Sequence, residues 1–134
     1  MLNHLPETVK EGTLLVSFDV VNLYTNIPHD YGIEAITFRL EKYPEAIPGR
    51  INHSFIIEAL KFILLNNFFM FDTTYYRQKC GIAMGTRAAP LIANLVMSYL
   101  ELKLYQSSLE KYGASFNFYL KENWKRYLDD CFIL

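Results

Sequence analysis

The apolar pattern opens with Leu14-Leu15-Val16-Ser17-Phe18, broken only by a small serine. This predicts a buried strand that ends on a carboxylate, Asp19. A turn-prone stretch from Asn22 to Pro28 follows. Ile33, Ile36, Leu40 and Tyr43 then recur at helical spacing, which predicts a helix from Asp30, a suitable N-cap, to Tyr43, stopped by Pro44. After a Pro/Gly loop from Pro44 to Gly49, Ser54 is placed to cap a second helix reaching about Asn66. Its apolar positions Ile56, Ala59, Leu60, Ile63 and Leu64 are too dense for a fully exposed element. Phe68-Phe69-Met70-Phe71 and Tyr75-Tyr76-Arg77-Gln78 flank Asp72-Thr73-Thr74 and predict an aromatic β-hairpin.

Gly81 to Pro90 is a glycine-bearing loop that ends in a helix start, with Pro90 suited to the first turn. Small and apolar residues then predict a long helix from Leu91 to about Lys111, with Gly113 as its stop. Ala114 to Asn123 is aromatic and ambiguous. Trp124 to Tyr127 and Cys131 to Leu134 predict the arms of a hairpin with Asp129 and Asp130 near its tip. Strand, two helices, hairpin, long helix, hairpin is an α+β order. Met1 to Thr13 reads as a polar lead-in, and no repeat or internal domain boundary is visible. Ile133 and Leu134 are still apolar with no turn residue after them, so the expectation is a fragment that stops in mid-strand.

Composition narrows this only slightly. The chain has 134 residues, 51% hydrophobic and 16% aromatic, which is enough for a core and argues against disorder. Charged residues at 20% are few, which suggests surface meant for burial against further chain. A net charge of -1 gives no basic footprint for nucleic acid, yet acidic metal ligands would offset basic contacts in such a sum. Cys80 and Cys131 form no C-x-x-C pair, and His4, His29 and His53 are scattered, so neither a disulfide framework nor a zinc site is indicated. No signal peptide is visible, and the most apolar stretch, Phe55 to Met70, is interrupted by Glu58, Lys61, Asn66 and Asn67, so no membrane span is expected. The expected setting is reducing and intracellular.

The carboxylates change the picture when taken together. Asp19 ending a strand has an ordinary explanation as a turn residue, and so does Asp129-Asp130 at a hairpin tip. Two apolar strands that both deliver carboxylate at their ends, however, supply what hard divalent cations need. Two such ions about 3.5–4 Å apart can hold both the attacking and the leaving oxygen of a phosphoryl transfer. Tyr24, just past Asp19, could wall the sugar of a nucleotide or simply pack in the core. The glycine-bearing loop could present backbone to a flat base pair, because glycine permits close approach, or merely lead into a helix.

In this order and spacing the segments resemble a known family. Ser17-Phe18-Asp19-Val20-Val21-Asn22-Leu23-Tyr24 resembles motif A of reverse transcriptases, Gly81 to Asn94 resembles their motif B, and Tyr127-Leu128-Asp129-Asp130 matches the Tyr-x-Asp-Asp box of motif C. The wording Asp-Val-Val-Asn-Leu-Tyr-Thr-Asn-Ile-Pro and Gly-Ile-Ala-Met-Gly-Thr-Arg-Ala-Ala-Pro-Leu-Ile-Ala-Asn-Leu is most similar to the Penelope-like retroelement branch, with related retroelement and telomerase-type enzymes as the nearest alternatives.

The resemblance implies an incomplete reverse-transcriptase-like palm over residues 1–134, an antiparallel sheet packed on helices. It implies two Mg2+ ions, with Mn2+ as a substitute, held by Asp19 and Asp129 with the Val20 carbonyl and a supporting Asp130. It implies that Tyr24 excludes a ribose 2′-hydroxyl and that Met84, Gly85, Thr86 and Pro90 shape the nucleotide pocket. Met84 departs from the glutamine common there, which leaves polar contacts to the nucleotide in question. Implied partners are an RNA template, a DNA primer and dNTP, with no membrane, and the location is nuclear for a eukaryotic element. The fingers, primer grip and thumb of family members are not found in the sequence, nor is an endonuclease region. The leading expectation is RNA-directed DNA polymerase chemistry; the alternative is an inert retroelement relic with at most weak nucleic-acid binding. A two-metal nuclease has no pattern of its own here.

Overall fold

The computed structural model describes residues 6–134, so His4 and the start of the polar lead-in lie outside the described residues. The elements in chain order are β1 (Val16–Asp19), α1 (Leu23–Asn26), α2 (His29–Lys42), a 3₁₀ turn (Pro44–Ala46), α3 (His53–Leu65), β2 (Phe68–Phe71), β3 (Thr74–Arg77), α4 (Ala89–Asn123), β4 (Lys125–Tyr127) and β5 (Asp130–Ile133). The α+β class expected from the pattern is what is observed. The chain divides into two units, residues 22–99 and residues 6–21 with 100–134.

In the unit Asn22–Tyr99 the core forms around one face of α2 and the first turns of α4. Helix α2 buries Gly32, Ala35, Ile36 and Leu40, at the spacing one helix face requires. Ile92, Ala93, Val96 and Met97 are buried on α4. The Tyr99 hydroxyl donates to Glu34 Oε1 at 2.6 Å, tying the two helices together. Helix α2 begins one residue before the expected Asp30, with Pro28 in the cap position; Asp30 sits in the first turn, where its carboxylate accepts from the Tyr31 amide at 2.9 Å. Ser54 is likewise not the cap of α3. Asn52 accepts from the Ser54 amide at 2.9 Å and fills that role. The apolar density of α3 goes with partial burial, as expected of an element that is not fully exposed: Leu64 is buried and Ile56, Ala59 and Leu60 are half-buried, while Phe55, Phe62 and Ile63 are exposed.

The aromatic hairpin forms as the pattern predicted. Asp72 and Thr73 both have positive φ, 44° and 66°, which fits a two-residue turn matching strand twist. Phe69 stacks on its cross-strand partner Tyr76 at 5.6 Å between ring centroids.

In the other unit, β1, β5 and β4 form an antiparallel sheet in that order. Helix α4 continues past Gly113, the expected stop. Gly113 does break it, with φ 81° and ψ 176°, and the ambiguous stretch that follows is a second helical limb. Asn117 on that limb donates to Ser108 Oγ at 2.6 Å and to the Tyr105 carbonyl on the first limb, so the backbone break is bridged by buried side chains. Strand β1 is not buried as expected: all four of its residues are exposed, and it lies at the sheet edge with a partner on one side only. Phe18 is 50% exposed and lies with Leu104, Leu120, Trp124 and Ile133 along an open apolar groove of about 380 Å³. No described helix is long and apolar enough to cross a membrane.

Candidate functional site

Strand pairing decides which side chains share a face. The β1–β5 register sets Phe18 opposite Cys131 and Asp19 opposite Asp130, and the β4–β5 register sets Arg126 opposite Cys131 and Tyr127 opposite Asp130. Residues directly opposite in an antiparallel pair point to the same side, and neighbours along a strand alternate. One face therefore carries Phe18, Cys131 and Arg126, and the other carries Asp19, Asp130 and Tyr127 abreast. The first face packs on α4. Phe18 meets the Trp124 ring at 6.0 Å, Cys131 is 4% exposed, and Arg126 reaches Glu101. The second face leaves Asp19 and Asp130 open to solvent.

Asp129 enters through the turn. Strands β4 and β5 are joined by two residues, Leu128 and Asp129, and Leu128 is held at φ 55°. This left-handed conformation is uncommon for a bulky side chain. The Asp129 carbonyl accepts from the Val20 amide at 3.2 Å, continuing the ladder one step past the end of β1. Asp19, Val20, Asp129 and Asp130 thus meet at one end of the sheet, although they are far apart in sequence. Burial pushes the Cys131 thiol up; Glu101, Asp130 and Asp129 act in the same direction, and Arg126 opposes them.

Like charges directly opposite on paired strands are unfavourable, and the donors offered at this end are all oxygen. That chemistry fits a hard cation, which needs only two or three carboxylates if water and phosphate oxygens complete its shell. Among the described residues no three His, Cys, Asp or Glu side chains are drawn together into a closed ligand group. The fit therefore rests on donor type and strand placement.

The remaining predicted residues belong to the unit Asn22–Tyr99. Asn22, with φ 54°, turns the chain into the short helix α1, where a plain turn was expected. Tyr24 is half-buried, and its carbonyl accepts from the Ile82 amide at 2.7 Å. The Gly81 amide donates to the Ile27 carbonyl at 3.2 Å, and His29 Nε2 lies 2.8 Å from the Gly81 carbonyl. Gly81 has φ 78°, and a Cβ there would fall 2.7 Å from the Thr25 backbone, so only glycine fits. The segment carrying Tyr24 is thereby laced to the start of the glycine-bearing loop. Sequence reasoning missed Gly81 and His29 as the residues that do this; two glycines four apart gave no sign of which one was structural.

Past Gly81 the loop opens outward. Thr86 closes a turn through its amide and hydroxyl, both donating to the Ala83 carbonyl at 3.1 and 3.0 Å. Met84 is 70% exposed, Gly85 and Pro90 are exposed, and a Cβ on Gly85 would meet nothing within 4 Å.

An α+β chain with carboxylates gathered at one end of an antiparallel sheet, and with a glycine-bearing loop leading into a long helix, has the parts of a polymerase palm. The family comparison gives that class its name: the model for reverse transcriptase (RNA-dependent DNA polymerase) matches residues 3–134. The chain belongs to the reverse transcriptase family. Membership implies, in general terms, a nucleic-acid template and primer and nucleotide substrates. No curated protein matches the chain.

Proposed function

We propose that the chain is the palm core of an RNA-directed DNA polymerase of the Penelope-like retroelement branch, joining dNTP to a DNA primer on an RNA template. The observation that carries this reading is the meeting of Asp19, Asp129 and Asp130 at one end of the β1–β5–β4 sheet. The Penelope-like placement rests on the wording of the segments from Asp19 to Pro28 and from Gly81 to Leu95. Exposed apolar side chains such as Leu14, Phe55, Phe62 and Phe71 suit a palm that is covered by finger and thumb segments of a longer polypeptide.

Asp19 and Asp129 would hold two Mg2+ ions (or Mn2+), with the Val20 carbonyl as a further oxygen and Asp130 supporting. When bound, such ions supply positive charge beside the primer 3′-hydroxyl and the dNTP phosphates during attack on the α-phosphate and loss of pyrophosphate. The chain's own task is to orient. Tyr24 sits beside the sugar, and its backbone is fixed by Ile82. Gly85 offers uncovered backbone to the base pair: it has neither a positive φ nor a neighbour that requires a glycine. Thr86 and Pro90 shape the loop, and Met84 offers an apolar contact where a polar one is common in the family.

The test is primer extension on an RNA template with Mg2+ and dNTP, by a polymerase in which finger and thumb segments complete this palm. The proposal expects Asp129→Asn to cut extension by about 100-fold or more with the fold intact. Extension close to wild type would reject the assignment. No extension by the unaltered protein, together with weak nucleic-acid binding, would favour an inert relic.

A further inference from the structure

We propose that Arg126, itself held by Glu101, is a positioning residue that sets the Leu128–Asp129 turn and so the carboxylate site; this rests on the reading of that turn as a cation site. All three guanidinium nitrogens are used. Nε donates to Glu101 Oε1 at 2.7 Å, Nη2 to Glu101 Oε2 at 3.3 Å, and Nη1 to the Leu128 carbonyl at 3.1 Å. The Trp124 indole N–H adds a fourth bond, to Glu101 Oε1 at 3.0 Å. The ion pair is sheltered, with side chains 13% and 18% exposed, so solvent screens it less than a surface pair. One end of this fork is anchored on α4 and the other grips the carbonyl of the residue with the left-handed φ.

The turn has reason to need such a hold. Leu128 lies in a conformation its side chain disfavours, and the neighbouring Asp129 carbonyl receives the Val20 amide. Release of Leu128 would let the turn relax, shifting Asp129 away from Val20 and Asp19. Arg126 cannot help the site by charge, because a cation beside a cation site works against binding. Its face of the sheet is also opposite to that of Asp19 and Asp130. What it contributes is geometry, and lysine cannot reproduce the planar three-point fork.

The experiment compares Arg126→Lys, Arg126→Gln and Asp129→Asn in this chain. Without metal, amide hydrogen exchange is followed at Val20, whose acceptor is Asp129. Both Arg126 variants are expected to speed Val20 exchange by about tenfold or more, while amides of α4 before Gly113 keep wild-type rates. Unchanged Val20 exchange, or equal acceleration across all amides, would overturn the proposal. Calorimetric titration with Mn2+ supplies the second readout. Arg126→Gln is expected to weaken binding by about tenfold or more, whereas a purely electrostatic role predicts tighter binding; tighter binding would overturn the proposal. If Asp129→Asn leaves Mn2+ affinity unchanged, the cation-site reading fails, and Val20 exchange alone decides whether Arg126 holds the turn.

Discussion

Asp19 and Asp130 face each other as direct cross-strand partners at the end of the β1–β5 ladder. Without a cation, two carboxylates placed directly opposite are unfavourable. Asp130→Asn should therefore raise the melting temperature in chelator and reduce the further rise on adding Mg2+. Thermal melting in both conditions checks it. A melting temperature that falls in chelator would show that Asp130 has a structural partner.

Two glycines separate stability from function. Gly81→Ala places a Cβ 2.7 Å from the Thr25 backbone at φ 78°, and the strained backbone alone should cost about 1–3 kcal/mol. Gly85→Ala enters open space and should leave melting within about 0.5 kcal/mol of wild type while lowering dNTP use in the completed polymerase. Denaturant unfolding of both variants, with extension assays on the second, checks this pair.

Tyr24 offers a test in which packing and chemistry predict different results. If its ring lies beside the sugar, Tyr24→Val in the completed polymerase raises ribonucleotide incorporation relative to deoxyribonucleotide, with only a modest loss of dNTP use. If the ring is core, truncation costs about 3–5 kcal/mol and both substrates suffer equally. Single-nucleotide addition with matched rNTP and dNTP, beside melting curves, discriminates.

Tyr105 makes stability depend on pH in the alkaline range. Burial raises its phenol above the ordinary value, Glu101 adds to the rise, and Arg126 opposes it. The folded state then holds this proton more tightly than the unfolded state. The associated stability is present below the unfolded pKa, about 10, and is lost as pH rises through the folded one. Wild-type melting should fall above about pH 10 more steeply than that of Tyr105→Phe, and absorbance titration at alkaline pH should show the variant lacking the late-ionising phenol.

The α+β order, the aromatic hairpin and the Asp-Asp hairpin were legible because each rests on local periodicity or turn chemistry. The convergence of Asp19 with Asp129 was suggested by two apolar strands that each deliver carboxylate and was specified by the resemblance, since strand pairing across the chain leaves no local signal. Burial was misjudged at β1, where apolar density does not say whether a neighbour is present to cover it. Gly113 was identified as a stop but not as a joint, because the helical limb after it is masked by aromatic residues without clear period. The Glu101–Arg126–Leu128 linkage was invisible: a charged pair of this separation looks like two surface residues until the fold places them on one face.

Paramagnetic broadening of backbone amide signals by substoichiometric Mn2+ shows where a cation binds on this chain. If the acids at the end of the β1–β5–β4 sheet hold it, Val20, Asp129 and Asp130 broaden first, and Asp19→Asn and Asp129→Asn each abolish this selectivity. Broadening that centres elsewhere, or that persists unchanged in both variants, would rule out a cation site at these acids.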